Sequence, residues 1–172
     1  MPKKVYNNVE DHRIICDKKT VEDVTSVVLP TIEHPTSSMA NVSGLAGDID
    51  MPNPVRVNAM ELSVAHNNGI NCSKLATPDN HTIEFRVVRQ CFDVKGTTMG
   101  HKLIKYRMKC LHKSTEKGTV EAGNPLGSTE RFSVIRYEEI EDGEQTVLID
   151  ISAGKIVYGG KSYTDPVQKL LS

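Results

Sequence analysis

The chain has no tryptophan and only three phenylalanines in 172 residues, so its core has to be built from Val, Ile, Leu, Met and Tyr. The missing tryptophan also counts against a carbohydrate-binding β module, whose sites rely on aromatic platforms. No charge of one sign dominates: the formal net charge is −1, without the basic excess of a dedicated nucleic-acid binder. No window approaches the ~20 apolar residues of a membrane span, so no membrane anchoring is expected. The opening MPKKVYNNVEDHR has no apolar run after its lysines and is not expected to be a secretory signal. Cys16, Cys72, Cys91 and Cys110 form no Cys-x-x-Cys pair, which removes the zinc-ribbon and redox signatures. They are expected to be reduced, buried thiols in a protein made in the cytosol.

Catalytic motifs are missing too. The chain carries no Gly-x-Ser-x-Gly, no P-loop, no His-Glu-x-x-His and no Rossmann glycine run, so an enzyme is not expected. His66, Asp79 and His81 are the best metal candidates, but their spacing matches no standard ligand pattern, and neither metal nor cofactor is assigned. The acidic pairs Glu138-Glu139 and Glu141-Asp142 flank a turn and are read as solvated strand ends.

What is present is a long, nearly uncharged connection, Glu33 to Pro54, between two strand-like segments. Connections in compact domains run about 4–6 residues, and much longer ones are functional or disordered. Disordered segments are polar and charged, whereas this one carries Met39, Val42, Leu45, Ile49 and Met51. Those five apolar side chains are expected to be buried against a neighbouring subunit.

Period-two alternation marks the strands. In 55–65, Met60, Leu62 and Val64 share one face, with Glu61 and Ser63 on the other. In 101–112, Ile104, Tyr106, Met108 and Cys110 alternate with a basic stripe of Lys105, Arg107 and Lys109. That stripe is expected to be the wet face of its strand, with contact to another subunit as the functional alternative. Residues 1–10 read as a loose arm, 13–16 and 24–32 as strands, 82–94 as a long strand, and 70–76 as a short helix. Asp142-Gly143 between alternating runs predicts a hairpin linking 130–140 to 144–151. Lys155–Tyr158 with Gly159-Gly160 forms a smaller hairpin, and Asp165-Pro166 predicts an N-cap and first turn for a helix over 167–171. Roughly eight strands without strand–helix alternation indicate a single, mainly β domain over 1–172. Its expected architecture is an antiparallel β-sandwich or barrel with one or two short helices.

The order of these features resembles the major tail tube proteins of contractile-tailed bacteriophages, a family shared with phage-tail-like bacteriocins. The likeness rests on the strand 24–32 with Leu29-Pro30, and on the long loop with Gly44-Leu45 and Asp48-Ile-Asp-Met51. It extends through Tyr106 to Lys113, Arg131 to Tyr137, Asp142-Gly143, Thr146 to Asp150, and the close from Ile156 to Leu170. The resemblance implies hexameric rings stacked into a hollow tube inside a contractile sheath. The subunit's partners are then itself, the tail sheath and the baseplate, with DNA passing through the lumen without specific binding. The expected location is the virion tail, assembled in the bacterial host cytoplasm. The loop 33–54 is then the inter-ring contact. Glu61 and Ser63 become lumen candidates, because DNA has to slide past a wall that does not grip phosphate. The nearest alternative is the inner tube of a genome-free injection device, such as a bacteriocin or a type VI-like machine. A ligand-binding β-sandwich stands further off.

Overall fold

The computed structural model describes residues 4–40, 43–44, 46–67 and 75–171. In chain order the elements are β1 (Lys4–Cys16), β2 (Lys19–Val21), β3 (Val24–Val28), β4 (Thr36–Met39), β5 (Ile49–Pro52), β6 (Met60–His66), β7 (Asn80–Asp93), β8 (Thr98–Glu116), β9 (Ser128–Glu141), β10 (Glu144–Asp150), β11 (Lys155–Tyr158), β12 (Lys161–Ser162) and α1 (Asp165–Leu171). Every strand pairing is antiparallel, and the expected mainly β fold is what forms.

Strand β9 is the spine. One of its edges pairs with β8, while the other pairs first with β6 through Val134 and then with β10 from Arg136 onward. At the changeover Ile135 is unpaired in the ladder, and its carbonyl accepts the Ile151 amide at 3.0 Å. A bulge of this kind bends and twists the strand. It lets one strand serve two partners on the same side. The main path then runs β12-β11-β10-β9-β8-β7-β1-β2, with β6 and β3 branching from β9. Ile14 of β1, Leu62 of β6, Phe85 of β7, Phe132 of β9 and Ile149 of β10 belong to one buried cluster. Strands on both sides of β9 reach the same core only because the sheet curls around it. With no tryptophan available, Phe85 and Phe132 are the largest fully buried side chains.

Alternation predicts the inward face well: Met60, Leu62, Val64, Ile104, Met108 and Cys110 are all buried. The Asp142-Gly143 hairpin forms with φ of 49° and 89°, the positive values that a type I′ turn needs. Cys91 and Cys110 are buried thiols.

Several expectations are corrected. Residues 4–10 are no loose arm but the first half of β1, bonded to β7 with irregular register around Tyr6, Val9 and Asp11. Lys102 anchors this arm, bonding Glu141 at 2.7 Å and the Tyr6 hydroxyl at 3.3 Å, with its ammonium 5.0 Å from the Tyr6 ring centroid. The segment 24–32 is a strand only to Val28. The helix expected over 70–76 falls mostly outside the described residues, and residues 75–76 are turn and bend. In α1 the Thr164 carbonyl accepts the first helical bonds, from Val167 and Gln168, which makes Thr164 the N-cap one residue before Asp165. Glu138 is not a solvated strand end. It is 8% exposed and accepts hydrogen bonds from Gln145 and Arg107.

In the 117–127 loop, Gly118 has φ +79°, and a Cβ placed there would lie 1.5 Å from the Gly127 carbonyl oxygen. Gly123 has φ +88° with open space around it. Gly118→Ala is therefore expected to cost at least about 2 kcal/mol, because αL strain and backbone overlap add. Gly123→Ala is expected to cost about 1 kcal/mol, the strain alone. Urea unfolding of the two variants measures the difference, and equal losses would rule out the overlap at Gly118.

Candidate assembly surfaces

The sheet face opposite the core is polar and charge-balanced. Glu61 stands opposite Ser133, and Ser63 opposite Arg131. Across β8, Lys105, Arg107 and Lys109 stand opposite Ile140, Glu138 and Arg136 of β9, and opposite Arg86, Glu84 and Thr82 of β7. The two sets predicted separately from sequence, Glu61 with Ser63 and Lys105 with Arg107 and Lys109, thus share one continuous face. Most of its acids are paired. Arg107 bridges Glu84 at 3.2 Å and Glu138 at 3.5 Å, and Arg86 bonds Glu84 at 2.6 Å. Glu61 takes Lys113 and, at 3.4 Å, Arg131, which also reaches Glu116 at 3.5 Å. The hydrogen bond from Lys113 is the main cause that holds the Glu61 carboxyl below its usual range. Burial alone would raise Glu84, but the bonds from Arg86 and Arg107 outweigh it and lower it. Lys105 and Lys109 make no ion pair among the described residues.

The connection 33–54 is itself structured. Strands β4 and β5 pair as a separate two-stranded hairpin, with Met39 opposite Ile49 and Ser37 opposite Met51. Met39, Ile49 and Met51 are 40%, 43% and 48% exposed, so their own subunit covers them only in part. Val42 and Leu45 lie outside the described residues. Among the described residues the hairpin is tied down at its base. Asn53 donates to the Pro35 carbonyl and Asn58 to the Glu33 carbonyl, each at 2.8 Å. His34 Nδ1 donates to the Arg56 carbonyl at 2.7 Å, which leaves its Nε2 to accept from the Tyr158 hydroxyl at 3.3 Å.

A further surface escapes sequence reasoning. Val5, Phe92 and Met99 are successive cross-strand partners on β1, β7 and β8, and all three are exposed. Alternation along β8 puts Met99 on the same face as Lys105, near the β7–β8 tip. The signal was Phe92 and Met99 flanking the turn 94–97, but only the register with the arm turns them into a row. Strand β3 adds an edge that is open among the described residues: it is bonded to β6 on one side, and Val28 is 64% exposed. The Leu170 and Leu171 side chains of α1 stand in solvent.

His66, Asp79 and His81 do not come together as a ligand set among the described residues. Burial pushes the Cys110 thiol up to about 12, the opposite of an activated nucleophile.

The sequence profile of the phage tail tube protein FII family matches residues 10–171, and the chain belongs to that family. It is a structural component of a phage tail or tail-like particle. Solved structures agree in fold. A chain of the sheath–tube complex of the extracellular contractile injection system PVC, in its extended state, superposes with a TM-score of 0.54 at 12% identity, covering 78% of this chain and 90% of that one. A chain of the PVC sheath/tube terminator gives 0.53 at 12%, covering 77% and 95%. The tube-terminating cap of the anti-feeding prophage gives 0.53 at 13%, covering 76% and 87%. No curated protein sequence matches the chain.

The ion pairs make unequal claims on stability. Arg107→Ala leaves the half-buried Glu84 and the buried Glu138 without their shared cation, and is expected to cost about 1–2 kcal/mol after allowance for solvent screening. Lys109→Ala, with no ion pair to lose, is expected to stay within about 0.5 kcal/mol of the parent. Chemical denaturation of both variants checks the ordering.

Proposed function

We propose that the chain closes into hexameric rings that stack into the hollow inner tube of a contractile tail, with the β4–β5 hairpin as the ring-to-ring contact. The observation that carries this reading is the hairpin itself: Met39, Ile49 and Met51 are ordered in paired strands yet only partly covered by their own subunit. Val42 and Leu45, between the two strands in sequence, extend the same contact. The open edge of β3 and the Val5–Phe92–Met99 row supply further contacts between subunits. A head-to-tail contact that closes by rotation gives a ring, and one that does not close gives a stack.

The polar sheet face then lines the channel, with Glu61 and Ser63 in its wall. Lys105, Arg107 and Lys109 lie on the same wall. Because Arg107 is already held by Glu84 and Glu138, it has little left to offer a passing phosphate. Such a wall suits DNA that must slide. The sheath surrounds the tube and the baseplate nucleates it. Assembly takes place in the host cytoplasm. A genome-free tube remains the second reading, favoured by the likeness in fold to contractile injection systems. Nucleic acid recovered from nuclease-treated particles separates the two cargoes.

Negative-stain microscopy of the purified chain over a concentration series is expected to show rings and hollow tubes. The double variant Met39→Asp/Ile49→Asp is expected to keep the parent's far-UV circular dichroism and its rings, but to form no stacked tubes. Tubes of normal length from that variant would overturn the hairpin assignment. A monomer at every concentration would overturn self-assembly of the subunit.

A further inference from the structure

The two-residue turn between β1 and β2, Asp17-Lys18, has φ of 46° and 69°, the positive values that turn Asp17 back over the start of β7. There the Asp17 amide donates to the Thr82 carbonyl at 3.0 Å, and the Thr82 amide donates to Asp17 Oδ1 at 2.9 Å. The second carboxylate oxygen, Oδ2, is thereby aimed at His81 Nδ1, 3.1 Å away, and at Cys16 Sγ, 3.5 Å away. Cys16 Sγ lies 3.8 Å from His81 Nδ1. Sulfur, nitrogen and oxygen form a compact triangle that only the fold creates, since Cys16 and His81 come from different strands.

Its dimensions are those of a metal tripod. Zinc bond lengths of about 2.3 Å to thiolate and about 2.0–2.1 Å to imidazole and carboxylate imply tetrahedral donor separations of about 3.3–3.6 Å. The observed 3.8, 3.5 and 3.1 Å bracket that range. The tautomer fits as well. His81 Nε2 donates to the Thr77 carbonyl at 2.9 Å, so in the neutral ring Nδ1 is the atom with the lone pair. Facing the Asp17 carboxylate at 3.1 Å, Nδ1 needs either a proton, which makes an Asp17–His81 ion pair, or a metal ion in the proton's place. A ligating histidine held by a backbone carbonyl through its other nitrogen is the usual outer-shell arrangement. His81 and Cys16 are buried, while the Asp17 side chain is 53% exposed, which leaves a path for the ion and a fourth position for water.

We propose that Cys16, Asp17 and His81 bind a divalent cation of the zinc type, which staples the β1–β2 turn to the start of β7. The ligand is a borderline-soft ion suited to one thiolate, one imidazole and one carboxylate. Its role is structural: it fixes the turn to the strand that carries the charged sheet face.

The test is cobalt and zinc titration of the untagged full chain. One cobalt(II) per chain is expected to give a near-ultraviolet thiolate charge-transfer band and the visible bands of a tetrahedral centre. Zinc is expected to abolish both and to raise the melting temperature. Asp17→Asn keeps an acceptor for the Thr82 amide and changes an exposed side chain, so it preserves the fold. It is expected to weaken cobalt binding about 10–100-fold. Cys16→Ser is expected to remove the charge-transfer band, and Cys91→Ser to leave it unchanged. No thiolate band in the parent, or undiminished affinity in Asp17→Asn, would overturn the site and leave a turn clamped by hydrogen bonds alone.

Discussion

Strand β9 is bonded to three other strands, and that sharing depends on one irregular residue. Ile135 breaks the ladder so that β6 occupies the first half of the β9 edge and β10 the second. β6 takes the backbone groups of β9 up to Val134, and β10 takes those from Arg136 onward. Because both are accommodated, β3 and β6 curl away on one side while β11, β12 and α1 follow β10 on the other. The core cluster closes between them, and Phe132, Val134 and Tyr137 of β9 sit in its middle. The same bulge resets the side-chain parity of β9: Phe132 and Val134 face inward before it, and Tyr137 after it. Arg136 and Glu138 are consequently turned outward onto the charged face. Core and charged face therefore share a single structural cause.

If that face lines the channel, as proposed, its electrostatics suit passage instead of binding. Cations held by fixed carboxylates within the subunit release fewer counterions on meeting phosphate than free ones would, so affinity and its salt dependence both fall. Glu84 and Glu138 on either side of Arg107 do this on two neighbouring strands. The cross-strand register supplies the geometry, because partners in antiparallel strands stand close enough for such pairs without long, entropically costly reach. A net charge near zero belongs to the same pattern.

Much of this was legible in the chain. Alternation in β6 and β8 gave the inward face residue by residue, and Asp142-Gly143 gave its hairpin, because both signals are local. The errors came where long-range pairing decides. The charged stretch Lys4 to Asp11 looks like a free arm until β7 is known to run beside it, with Lys102 holding Tyr6. Glu138 looks solvated until Arg107 and Gln145 are known to meet it. The Val5–Phe92–Met99 row and the Cys16–Asp17–His81 triangle each need two or three strands brought into register, which no spacing along the chain encodes. The loop 33–54 stands between these cases. Its apolar spacing predicts a contact surface, but the pairing of its ends into β4 and β5 has no local signal.

The hairpin formed by that loop also bears on how assembly is controlled. An isolated two-stranded hairpin is marginal in water. This one is held at its base by His34, Asn53 and Asn58, with no residue of β4 or β5 buried. In the free subunit its apolar side chains gain nothing from their own core, and ordering them has an entropic cost. If the hairpin is the ring-to-ring contact proposed, a neighbouring ring would supply the missing burial and offset that cost. Stacking built on such an element is weak for a single pair of subunits. It becomes strong when a whole ring presents its hairpins together, because the first contact makes the others effectively intramolecular. On the proposed reading each ring docks through all of its hairpins at once, so stacking rises steeply with concentration once rings have closed.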